Sequence, residues 1–101
     1  MEPLNLKAKL FRGFSAPTRL AILESLKDVE KTGSEVASLI GQSQTNVSNH
    51  LIYLLECGLV KKRRDGKRIY YSIKDWRFLR FLSDSDAILA EGRRSSSVRS
   101  S

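Results

Sequence analysis

Apolar residues recur at helical spacing through the first half of the chain, alternate with charged residues beyond residue 60, and return to helical spacing after Asp75. In the opening segment Leu6, Leu10, Phe11 and Phe14 predict an amphipathic helix from Leu4 to Phe14. Ser15 stands where the next helix needs an N-cap. Pro17 fits its first turn, where a missing N–H leaves no partner unmet, and Leu20, Ile22, Leu23 and Leu26 give it a buried face until about Asp28. Thr32-Gly33-Ser34-Glu35 has the Thr-to-Glu spacing of a capping box, ahead of the apolar Val36, Ala37 and Ile40, and Gly41 ends this third helix. Only Gly41-Gln42-Ser43 separates it from a fourth, capped by Ser43, in which Val47, Leu51, Leu54 and Leu55 repeat at i, i+4, i+7 and i+8. Two helices joined this tightly make a helix-turn-helix.

Gly58 marks the end of the fourth helix, and the pattern changes to strand. Asp65-Gly66 is a two-residue hairpin turn by type. Closing the loop there pairs Val60 with Tyr71 and Lys62 with Ile69. Val60, Ile69, Tyr71 and Ile73 then face the core, and Lys61, Arg63, Arg68 and Tyr70 the other way. In this register Arg63 faces Arg68, a like-charge pair that a polyanion would relieve.

After Asp75, Trp76, Phe78, Leu79, Phe81 and Leu82 make a last helix apolar over a wide arc. Ser83-Asp84-Ser85-Asp86 either breaks it or recaps a further turn through Ile88 and Leu89. From Gly92 onward Arg and Ser dominate, so residues 1–91 are expected to form one domain and 92–101 a disordered basic tail.

With 101 residues and 41% hydrophobic content, the chain fits a single small core. No apolar run approaches the roughly 20 residues of a membrane span, and no signal sequence opens the chain, so a cytoplasmic protein without membrane partners is expected. One cysteine excludes an intramolecular disulfide. The net charge of +7 is concentrated: residues 61–68 hold six basic and one acidic side chain, whereas residues 1–60 are balanced. An isolated basic run is ordinarily a solvated surface. Here it occupies the hairpin beside a polar-faced helix, Ser43-Gln44-Thr45-Asn46-Val47-Ser48-Asn49-His50, suited to a major groove while the hairpin follows the phosphates. Catalysis is not supported: there is one His, no nucleophile with a neighbouring base, no phosphate-cradling glycine loop and no carboxylate cluster. The alternative is a winged-helix module that binds an acidic protein or RNA. Against it stands the polar, groove-sized face of the fourth helix.

Three stretches in order, Ser15-Ala16-Pro17-Thr18-Arg19-Leu20-Ala21-Ile22-Leu23, Asn46-Val47-Ser48-Asn49-His50-Leu51 leading to Cys57-Gly58-Leu59-Val60, and Gly66-Lys67-Arg68-Ile69-Tyr70-Tyr71, resemble the ArsR/SmtB family of small dimeric repressors between Leu10 and Asp75. The resemblance implies a mainly α (α+β) winged helix-turn-helix of four helices, two strands and a fifth helix, paired as a homodimer through its first and last helices. Leu6, Leu10, Phe11, Trp76, Phe78, Leu79, Phe81 and Leu82 supply more apolar surface than one such chain easily covers, and are the candidate interface. A two-fold dimer would bind double-stranded DNA at an inverted repeat, with half-sites about one helical turn apart or a multiple of that.

By position in the family, Gln44, Thr45, Ser48 and Asn49 face base edges, and Gln and Asn can each pair with adenine in two-pronged fashion. Ser43, chiefly a cap, joins His50, Arg63, Arg64, Lys67 and Arg68 as candidate phosphate contacts. His50 is read as a packed or phosphate-contacting histidine rather than a metal ligand. Many relatives release DNA on binding metal, but the positions matching their ligands do not carry a full set here. Lys31-Thr32-Gly33-Ser34-Glu35 lacks a thiol, and Asp75, Arg77, Ile88 and Glu91 keep two ligand types of four. In a third arrangement Cys57 is matched and its partner position is Tyr53. No cofactor is assigned, therefore. Cys57 is read as a buried structural residue, with a soft-metal or redox signal as the alternative.

Overall fold

The computed structural model describes residues 2–13 and 16–100, with the side chains of residues 3–12 and 16–92. The elements run α1 (Glu2–Gly13), α2 (Pro17–Ser25), β1 (Lys31–Thr32), α3 (Gly33–Ile40), α4 (Gln44–Cys57), β2 (Val60–Asp65), β3 (Arg68–Ile73) and α5 (Trp76–Ser100). The three strands form an antiparallel sheet in the order β1-β3-β2. Among the described residues no helix is long and apolar enough to cross a membrane.

Local chemistry fixes most element ends. Thr32 Oγ1 accepts from the Glu35 N–H at 3.1 Å, and Glu35 Oε1 accepts from the Thr32 N–H at 2.8 Å, completing the capping box. Because Thr32 also pairs with Tyr70 of β3, α3 springs directly from the sheet. Ser43 Oγ caps α4 by accepting from the Asn46 N–H at 3.1 Å. Gly41 and Gly58, at φ 70° and 77°, take the left-handed geometry that ends α3 and α4. The N-cap of α2 is Ala16, whose side chain makes no cap bond, and the expected cap Ser15 lies outside the described residues, as does Phe14.

The core gathers Ile22, Leu23 and Leu26 of α2, Val36 and Ala37 of α3, Val47, Leu51 and Leu54 of α4, then Leu59 and Val60. Each fully buried Val, Leu or Ile contributes roughly 1.5–3 kcal/mol. The inner face of α4 is thereby fixed against α2 and α3, which leaves the opposite face outward.

Three expectations are corrected. First, Val60 pairs with Ile73, Lys62 with Tyr71 and Asp65 with Arg68, so the two-residue loop is Gly66-Lys67 rather than Asp65-Gly66. Gly66 has φ 64° and no described non-glycine residue has positive φ. A loop with glycine first suits the type II′ turn, whereas Asp65-Gly66 in a type I′ turn would force Asp65 to positive φ. Each partner moves by two residues, which preserves the faces but puts Tyr70, not Arg68, opposite Arg63. Second, Ser83-Asp84-Ser85-Asp86 neither breaks nor recaps α5. Third, Leu20 and Ile69, both expected to face the core, are exposed: Leu20 lines an open groove against α5, and Ile69 lines the cleft beside Thr32 and Glu35.

Candidate nucleic-acid interface

Burial along α4 separates its two sides. Val47, Leu51 and Leu54 are buried, whereas Gln44, Thr45, Ser48 and Asn49 are exposed, and these four make no side-chain hydrogen bond with other described residues. Their amides and hydroxyls are therefore available to an external partner. Asn46 is occupied differently, its Nδ2 donating to Gln42 Oε1 at 2.9 Å and its N–H to the Ser43 cap. Ser43 Oγ is likewise committed to that cap, and His50 is half-buried to one side of the outward stripe.

The wing carries Lys61, Lys62, Arg63, Arg64, Lys67 and Arg68 on exposed backbone. Lys67 and Arg68 at its tip, with Ile69 and Tyr71, face Thr32, Gly33, Ser34 and Glu35 across an open cleft of about 550 Å³. The Glu35 carboxyl is held below its ordinary value, chiefly through the Thr32 N–H it accepts, with Arg68 and Lys31 adding. Arg64 Nε donates to the Gly66 carbonyl at 3.0 Å and steadies the turn.

Arg63, expected at the phosphates, is engaged within the fold. Its Nε lies 3.0 and 2.8 Å from the two Glu30 carboxylate oxygens, its Nη2 also donates to Glu30, and its guanidinium stacks 4.7 Å from the centre of the Tyr70 ring. Glu30 sits in the segment between α2 and β1, so this pair fastens the wing to the rest of the fold. The Arg63 hydrogen bonds hold the Glu30 carboxyl below its ordinary range. Glu30 therefore stays ionised above that range, and the contribution of the pair fades only as pH falls below it. Glu30→Gln should leave stability almost unchanged, because the pair is exposed. It should release Arg63 to the phosphates and steepen the salt dependence of DNA binding by about 0.9 in log–log slope per phosphate gained. A weaker affinity at unchanged slope would show instead that Arg63 acts only by holding the wing. Arg19 is another residue whose role periodicity did not reveal: it lies 4.1 Å over the Tyr53 ring and ties α2 to α4, with its Nε buried and unpartnered among the described residues.

On α1 and α5, Leu6, Leu10, Phe11, Trp76 and Phe81 are exposed, and Leu10, Phe11, Leu59, Phe78 and Phe81 line an apolar groove of about 290 Å³ between the two helices. Leu79 is half-buried. Leu82, expected at the same surface, is only 3% exposed within the single chain, beside Leu20 and Glu24 of α2, and Phe78 packs against the core. Both residues complete this chain's own packing.

Asp75, matched to a metal ligand of relatives, is engaged by its neighbour. Asp75 Oδ1 accepts from the Arg77 N–H at 2.9 Å, and the Arg77 guanidinium holds its carboxylate down to about 2. The one anionic group at the head of α5 is thus neutralised by its neighbour. Cys57 is half-buried rather than buried, its thiol 3.5 Å from the Lys9 carbonyl of α1. Among the described residues no three His, Cys, Asp or Glu side chains cluster.

Residues 16–62 match the model of a family described as "Bacterial regulatory protein, arsR family". The chain is 44% identical over 68 residues to the "Probable mercury resistance operon repressor" of Streptomyces lividans, covering 67% of this chain and 54% of that protein. It is 36% identical over 77 residues to the HTH-type transcriptional regulator CmtR of Mycobacterium tuberculosis, covering 76% and 65%. The chain thus spans about half to two thirds of the length of these relatives. The crystal structure of Rv0081 from M. tuberculosis is similar at a TM-score of 0.85 and 30% identity, over 94% of this chain and 96% of that one. A homodimeric winged helix-turn-helix DNA-binding domain, fragment 1–100 of Mb0332 from Mycobacterium bovis, gives 0.86 and 28%, over 93% and 87%.

Proposed function

Because the chain belongs to the ArsR family of bacterial DNA-binding regulators, which are not enzymes, we propose that it is a homodimeric, sequence-specific repressor of an inverted-repeat operator. The observation that carries this reading is the uncommitted polar stripe of α4, Gln44, Thr45, Ser48 and Asn49, held outward by a buried inner face and flanked by a cationic wing. Such a stripe offers amide and hydroxyl partners to base edges, while Lys67 and Arg68 meet phosphates on the flank. Selecting duplexes from a random pool tests it: an enriched inverted repeat is expected. Enrichment of none, with binding to RNA or an acidic protein instead, would favour the interaction-module reading.

The dimer places its interface on α1 and α5, where Leu6, Leu10, Phe11, Trp76 and Phe81 lie exposed and Leu79 lies half-buried. The Mb0332 domain is described as homodimeric, which supports the same assembly here. Sedimentation at micromolar concentration should give twice the chain mass, and a monomer would remove the two-fold operator geometry.

Neutralising the wing tip as Lys67→Gln with Arg68→Gln should weaken every duplex to a similar degree and flatten the salt dependence by about 0.9 per phosphate lost. Loss of sequence preference at unchanged nonspecific affinity would reverse the roles given to wing and helix. A release signal of the soft-metal or redox kind would have to act at Cys57, the only thiol of the chain. Titrating such metals and oxidants against the selected complex, with Cys57→Ser as control, decides that point. A response undiminished in Cys57→Ser excludes the thiol.

A further inference from the structure

The outward stripe of α4 does not stop at Asn49. At about 100° per residue, Ile52 lies between Ser48 and Asn49 around the helix axis, close in angle to Thr45 and about 10 Å farther along. Its side chain is 55% exposed. The other exposed apolar side chains lie off this stripe: Leu6, Leu10, Phe11, Trp76 and Phe81 belong to the α1 and α5 surface assigned to a second copy, and the rest, Leu39 of α3 among them, stand outside α4. Ile52 instead stands in line with four hydrogen-bonding residues on the side given to DNA.

One turn beyond it on the same line, Glu56 is exposed. The stripe therefore reads as polar at Thr45, Ser48 and Asn49, apolar at Ile52 and anionic at Glu56. Glu56 lines a pocket with Leu6, Lys7, Lys9 and Leu10 of α1, so the length of α4 open to DNA ends there. Ile52 is the last residue before that limit, where a branched hydrocarbon can satisfy only an apolar partner. The major-groove edge offers one such group, the 5-methyl of thymine.

We infer that Ile52 is a specificity-determining residue that packs against a thymine 5-methyl group, one or two base pairs beyond those met by Ser48 and Asn49. The inference rests on the DNA reading above and adds a thymine to each half-site.

The test uses the full chain and the duplex it selects, with each thymine replaced in turn by deoxyuridine, which removes only the methyl. Wild-type protein should lose affinity at one thymine in each half-site, on the order of fourfold for burial of one methyl-sized group. Ile52→Ala should bind the thymine and deoxyuridine duplexes equally, and Ile52→Val should keep most of the discrimination. Thr45 carries the other methyl on the stripe, so Thr45→Ser is compared by ratio alone: whatever its overall affinity, the thymine-to-deoxyuridine ratio at that position should match wild type. A selected duplex with no thymine in its half-sites overturns the inference while the regulator reading stands. So does a wild-type protein indifferent to every methyl, a result that needs no variant to fold, or a methyl effect that survives in Ile52→Ala. Failure to select any duplex overturns the DNA reading and this inference together.

Discussion

Leu54→Ala should lower the thermal midpoint of unfolding by on the order of 10–30 °C and abolish DNA binding well below the wild-type midpoint. Leu54 has no exposed surface and sits where α4 meets α2, α3 and the start of β2. Truncating a fully buried leucine costs roughly 2–5 kcal/mol, part for the lost apolar atoms and part for the cavity left behind. A domain of this size is held by only about 5–15 kcal/mol, and each kcal/mol moves the midpoint by about 4–8 °C. Leu39→Ala is the contrast. It removes the same atoms from a side chain 63% exposed on the neighbouring α3 and should change stability by no more than about 0.5 kcal/mol. Both are read by circular dichroism during heating at one protein concentration, because self-association makes the midpoint concentration-dependent. Equal shifts for the two variants would mean that α4 is not anchored by its buried face.

The features legible in the sequence are those decided within a few residues. Thr32 with Glu35, Ser43, Gly41 and Gly58 each satisfy or end a helix by local bonding, and the structure places each in that role. Most buried positions of α2 to α4 also followed from spacing, because they recur with the helical period, whereas Leu20 shares that period and is exposed. What required the third dimension was pairing between distant segments. The register of β2 and β3 turned on which loop residue would bear positive φ, and a shift of two residues hides from an in-and-out pattern because it preserves both faces. β1 has only two residues and no alternation to betray it. The Glu30–Arg63 pair joins residues 33 apart, so the wing's excess charge read from the sequence counted an arginine already engaged. Along α5 the apolar arc could not tell Leu82, which closes this chain's own core, from Trp76, which is 68% exposed. At the candidate site, α4 was readable because a polar stripe opposite a buried one leaves a helix few alternatives.

Asn49→Ala should reduce affinity for the selected operator by roughly 30-fold or more while leaving binding to random duplex and its salt slope nearly unchanged. Asn49 is exposed on the outward stripe, and its amide is uncommitted to other described residues, so truncation removes a reader without disturbing the fold. A two-pronged amide contact is worth about 1–3 kcal/mol of discrimination. A two-fold dimer makes it once per half-site, giving about 2–6 kcal/mol in total, or roughly 30-fold to ten-thousand-fold. The loss should concentrate at one base pair: duplexes altered there should bind wild type and variant alike, because the missing contact no longer discriminates. Asn46→Ala provides the counter-case on the same helix. Asn46 Nδ2 is held by Gln42, so its truncation should act through the start of α4, lowering stability and all DNA affinities together. If Asn49→Ala instead weakened operator and random duplex equally, the helix would be gripping phosphates, and sequence choice would have to come from elsewhere on the molecule.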